Sequence, residues 1–100
     1  LAFAAMLSAG LDGIEKGMDA GASTDVNIFK LTEEDRKARG IESMPGNLKE
    51  AIDLMAASDF VKEVVGEHVF ENYIEAKTAQ WDDYKAQVHQ WELDTYLGIL

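Results

Sequence analysis

The stretch from Glu67 to about Gln87 does most to limit what this chain can become. Phe70, Ile74, Lys77, Trp81, Tyr84 and Val88 recur in steps of four and three, the spacing that places side chains on one side of an α-helix. No proline or glycine interrupts the run. A helix of this length with one apolar seam needs other elements laid along it. Lys77 stands in the middle of the seam, which argues for a single amphipathic helix rather than an extended coiled coil.

The rest of the chain reads as helix too. Leu1 to about Gly17 consists of strong helix formers, with Phe3, Met6, Leu7, Leu11 and Ile14 at helical spacing. Gly, Ala and Ser between Asp19 and Thr24 mark a loop. DVNIFKL, Asp25 to Leu31, reads as a short extended connector. Thr32 is placed to cap a helix whose first turn holds Glu33, Glu34 and Asp35, facing the positive end of the dipole, and Gly40 stops it. The only proline, Pro45, forces a turn within SMPGN. Asn47 with Glu50 three residues on forms a capping-box pattern for a helix with Leu48, Ala51, Ile52 and Met55 inward. Ser58 caps a further short helix with Phe60, Val61, Val64 and Val65 inward, ending near Gly66. A last short helix covers about Gln90 to Leu97, with Trp91, Leu93, Tyr96 and Leu97 apolar, and the closing Gly98, Ile99 and Leu100 stay apolar. The expected class is all-α: several short helices plus one long amphipathic helix.

Composition excludes several functions. The chain has 100 residues, enough for one modest domain that buries about two-thirds of its unfolded surface. A net charge of −10 argues against a surface for nucleic acid or anionic lipid, since both need clustered Lys and Arg. There is no cysteine, hence no disulfide, thiolate metal site or thiol chemistry. The uncharged opening, Leu1 to Leu11, is too short to span a bilayer and lacks the basic flank of a secretory signal. Gly13, Gly17 and Gly21 make a small-residue ladder, but Asp12, Glu15, Lys16 and Asp19 are interleaved with it. Close helix contact in a protein outside the membrane is the better reading.

Catalytic patterns are missing. His68 with Glu71 or Asn72 has helical spacing that would suit a metal, but no second His shares the face and there is no HExxH. His68 therefore reads as a surface or cap residue, and His89 as a cap for the last helix. No GxSxG, GxGxxG or GKS/GKT run is present. The residues alone assign no catalytic, cofactor-binding or metal-binding position.

Several long segments, in order, resemble the C-terminal part of bacterial type I glutamine synthetases. LAFAAMLSAGLDGI is similar to the family's NPYLAFAAMLAAGLDGI from its fourth residue onward. Asp25, Asn27, Ile28 and Leu31 of DVNIFKL resemble DKNLYDL, and SMPGNLKEAI resembles LPGSLEEAL. GEHVFENYIEAK and QWDDYKAQVHQWELDTYLGI resemble GEHIFEKFIEAKR, WDEYRTQVHPWE and the closing YL. The resemblance covers essentially the whole chain. It implies an ATP-dependent glutamate–ammonia ligase that makes glutamine through γ-glutamyl phosphate, with ATP and Mg (or Mn) held by motifs upstream of Leu1. Residues 1–100 would then be a C-terminal helical fragment of the catalytic domain, inactive alone, lacking the barrel and N-terminal domain. They would buttress the barrel and supply a tail that reaches the opposite ring of a cytoplasmic dodecamer built from two stacked hexamers. The greasy opening, without an initiator Met, would then be an internal helix. Two departures stand out. Phe29 replaces the adenylylated Tyr of many bacterial members, and Gln90 replaces the Pro of VHPWE. The competing expectation is a free-standing all-α interaction module, to be separated from the first by the reading frame upstream of Leu1.

Overall fold

The computed structural model describes residues 1–99, all helices and connections with no strand among them. The all-α expectation holds. The chain divides into two compact units, residues 1–46 and 47–100.

The first unit opens with α1, Ala2–Lys16. Gly17 ends it in the left-handed region (φ 60°), where a side chain would be strained. Its N–H donates to the Ile14 carbonyl at 3.2 Å, and the Met18 N–H to the Gly13 carbonyl at 2.9 Å. Two of the last carbonyls are thereby satisfied. Phe3, Met6, Leu7, Leu11 and Ile14 share one side, as the spacing requires, and every one of them is exposed. The glycine ladder does not form a helix face, because Gly17 is the cap and Gly21, at φ 79°, lies beyond the helix. Gly13 is within it, as is Gly10, and neither has a heavy atom within 4 Å of where a Cβ would stand. Each costs the helix about 1 kcal/mol relative to alanine.

DVNIFKL is not extended. Ile28–Lys30 form a 3₁₀ turn, because the Asn27 Oδ1 accepts the Phe29 N–H at 3.1 Å and its carbonyl accepts the Lys30 N–H at 3.0 Å. Asparagine's local hydrogen bonds outweigh the β-preference of Val26 and Ile28. The second helix, α2, spans Glu33–Ala38. Thr32 caps it, its Oγ1 accepting the Asp35 N–H at 3.1 Å and donating to the Asp35 carboxylate at 2.8 Å. Gly40, at φ 68°, follows its end.

The second unit holds α3 (Leu48–Ala56), α4 (Asp59–Val65), α5 (Glu67–Lys85) and α6 (Gln90–Tyr96). Asn47 caps α3, its Oδ1 accepting the Glu50 N–H at 2.9 Å and its amide donating to the Glu50 carboxylate at 3.1 Å. Ser58 caps α4 by accepting the Val61 N–H at 3.2 Å. Gly66 alone joins α4 to α5, and its φ of 83° with ψ of 151° is backbone that only glycine adopts readily. Across this joint the Lys62 ammonium pairs with Glu67 at 2.9 Å. The hydrogen bond and charge of Glu67 hold the Lys62 pKa above its ordinary value.

α3 and α4 both pack against α5, and Ile52 and Phe70, 7% and 8% exposed, form the core. Ala51, Met55, Val61, Val64, Val65, Ile74 and Trp81 are half-buried around them. Lys77 is half-buried too, with its ammonium 5.4 Å from the Tyr73 ring centre and 2.9 Å from the Gln80 Oε1. Its stem covers apolar surface while its head reaches polar partners. The seam loses its cover at its far end. Tyr84 is exposed, and Val88 lies past the helix and is exposed as well. The cause is length: α5 is about 28 Å long and α3 only about 14 Å, at 1.5 Å per residue. Leu48 and Phe60, expected inward, stand at the margin of exposure.

Candidate functional site

Side chains that carry chemistry are scattered. His68 is on the exposed side of α5, where the Asn72 amide donates to its carbonyl at 2.7 Å and sits 3.3 Å from its Nδ1. Among the described residues no group of three or more His, Asp or Glu side chains is placed to hold a metal ion. Glu33, Arg36, Lys37, Ile41, Glu42 and Ser43 line an open depression beside α2. There the Arg36 Nε is shut off from solvent with no hydrogen-bond partner. Lys37 pairs with Glu33 at 3.2 Å, and opposite charges balance over the depression.

The surfaces that can act are apolar. Phe29, at the centre of the 3₁₀ turn, is 99% exposed. In α6, Trp91, Leu93 and Tyr96 are exposed, as are Leu97 and Ile99 beyond it. Trp91 meets Tyr96 edge to face at 5.8 Å, a contact that orients the two rings but leaves both open. Leu100, the last residue of this apolar run, lies outside the described residues.

His89 takes the N-cap position of α6, as expected. The Glu92 carboxylate reaches back to accept the His89 N–H at 2.8 Å. The Tyr84 and His89 ring centres are 5.2 Å apart, and those of Trp81 and Tyr84 5.8 Å. The helix thus starts at Gln90 without a proline, and Glu92 fixes its first turn instead. Glu92 was open to detection by its place three residues after the cap. Arg36 carried no sequence signal, since its enclosure depends on how the chain folds around Ile41.

A family profile described as the glutamine synthetase catalytic domain matches residues 1–96. The chain belongs to the glutamine synthetase family. It is similar to the glutamine synthetase of Methanosarcina mazei, with 58% identity over 100 residues, all of this chain and 22% of that protein. It is similar to that of Clostridium saccharobutylicum at 45% identity, over 98% of this chain and 22% of the relative, and to that of Thermus thermophilus at 41%, with the same coverage. A solved structure titled "Apo GmaS without ligand" superposes with a TM-score of 0.69 at 34% identity, covering 94% of this chain and 21% of that one. The chain therefore spans about a fifth of the length of the glutamine synthetases it matches. These relatives come from archaea as well as bacteria, so the family is wider than the bacterial group whose motifs the segments resemble.

Proposed function

We propose that this chain is the C-terminal helical part of the catalytic domain of a type I glutamine synthetase of the bacterial kind, and that its parent joins ammonia to glutamate at the expense of ATP. The observation that carries this reading is 58% identity to a glutamine synthetase over all 100 residues. In the parent, ATP activates the glutamate side chain as an acyl phosphate and ammonia displaces the phosphate. No step of the reaction is proposed for these residues. The role proposed for them is mechanical: unit 2 braces the barrel, and α6 with the residues after it supplies a contact between subunits of a double-ring dodecamer. The same resemblance to glutamine synthetases makes a cytoplasmic parent the reading proposed. No helix among the described residues is long and apolar enough to cross a membrane.

Glutamine formation by the full-length gene product, assayed with glutamate, ammonia, ATP and Mg²⁺, tests the activity. The expected result is turnover that needs all four. An intact product that makes no glutamine, or a gene that starts just before Leu1, sinks the reading in favour of an interaction module.

A further inference from the structure

The depression beside α2 is made by the way that helix ends. Gly40, at φ 68°, is the left-handed residue just past its C-cap. The Gly40 N–H donates to the Lys37 carbonyl at 3.1 Å and the Ile41 N–H to the Arg36 carbonyl at 2.9 Å. These are the paired bonds of a Schellman motif, which brings the residue at Ile41 back towards the one at Arg36. Glu42 and Ser43 continue the same wall, and the space they bound is about 390 Å³, within the range of small-molecule sites.

The charges of that lining are not all matched. Lys37 and Glu33 pair with each other at 3.2 Å. Neither the Arg36 guanidinium nor the Glu42 carboxylate has a hydrogen bond or ion pair among the described residues. Arg36 is half-buried and its Nε is closed to water, so a charged donor has lost its hydration with nothing in return. Nε and one Nη of a guanidinium form a fork that fits one carboxylate. Glu42, on the same wall, accepts from a cation and repels a second negative charge. A phosphate or a dicarboxylate therefore brings more negative charge than the lining balances. A molecule with one carboxylate and one ammonium meets the two unmatched charges one for one.

We propose that the Arg36–Glu42 depression is a binding site for a free α-amino acid with an uncharged side chain. Arg36 takes the carboxylate through Nε and Nη, Glu42 accepts from the ammonium, and the side chain lies on Ile41. Every lining residue falls within residues 33–43, so the site does not depend on the synthetase reading of the parent.

The full-length gene product and L-valine test this, since valine has no polar group beyond the two that the site reads. Equilibrium dialysis should show saturable valine uptake with a dissociation constant on the order of 1 mM. Isovalerate, which lacks the ammonium, and isobutylamine, which lacks the carboxylate, should each bind about tenfold more weakly or worse. Arg36→Lys keeps the charge but loses the fork, and should remove this uptake. Glu42→Gln should weaken valine while leaving isovalerate unchanged or tighter, a split that a merely structural role for Glu42 does not produce. Hydrogen exchange in residues 33–43 of the unmutated protein should slow when valine is added, which reads the site even where a variant fails to accumulate. Valine uptake that survives Arg36→Lys, equal binding of isovalerate and valine, or exchange in residues 33–43 that valine does not slow each overturns the proposal. So does the absence of saturable uptake up to about 10 mM.

Discussion

Phe29 concentrates the chemistry of its loop in what it lacks. The Asn27 side chain fixes the turn, and the Phe29 ring is 99% exposed in this chain. A phenyl ring has no oxygen to take a nucleotidyl group. Incubating the full-length enzyme with an adenylyltransferase and labelled ATP is therefore expected to leave the peptide Asp25–Lys30 unlabelled, and label there would refute the assignment. Phe29→Tyr supplies the acceptor and is expected to gain label where the transferase recognises the loop. Lys62 offers a second test at this scale. Because Glu67 raises its pKa, the pair's contribution to stability is complete below the ordinary lysine value of 10.5 and is lost as the pH climbs through the raised value. The stability difference between the unmutated enzyme and Lys62→Met should stay level from pH 6 to 9, shrink only in strong alkali, and weaken with salt, since the pair is open to solvent. A difference that changes near neutrality would point to another group. The sequence showed Thr32, Asn47 and Ser58 as caps because capping is chemistry between neighbours. It hid the turn at Asn27, where an equally local bond competed with a β-branched run.

Elements were legible in proportion to how far their partners lie within the chain. The boundaries of α3, α4 and α5 follow from Asn47, Ser58 and Gly66, and the first half of the α5 seam found the partners its period predicts. Its second half did not, because the periodicity of a helix says which side is apolar and nothing about the length of what covers it. Phe70 on α5 is one of the two buried core side chains, and the Lys62 ammonium of α4 lies 6.0 Å from its ring centre. Phe70→Ala should cost about 3 kcal/mol or more through lost burial and the cavity left behind. Glu75→Ala on the exposed side of the same helix should stay within about 0.5 kcal/mol. Chemical denaturation of the full-length enzyme measures both. Equal effects would mean that α5 is held by contacts other than the Ile52–Phe70 core.

At the scale of the whole molecule, apolar surface left open is what sequence alone does not interpret. The same side chains that define α1 and α6 as amphipathic are, in this structure, the exposed ones. The family match places them in a larger catalytic domain. The two ends differ in what they need. α6 is seven residues long, too short to persist in water without a surface to lie on. Its joint to α5 is made by the ring contact of Tyr84 with His89 and by the Glu92 cap, which aim it without burying it. Covering Trp91 and Tyr96 on a neighbouring subunit would contribute on the order of a few kcal/mol per tail by area. In the double ring proposed for the parent, every subunit would add such a contribution. Deleting Trp91 onward from the full-length enzyme is thus expected to separate or weaken the rings while each subunit keeps its fold, because the Ile52–Phe70 core lies wholly outside the deleted residues. Light scattering gives the mass of the truncated enzyme, and circular dichroism its helix content. Loss of mass with helix content reduced only by the missing segment supports the tail as the ring-to-ring contact. A double ring of unchanged mass and stability would show that α6 serves its own subunit instead.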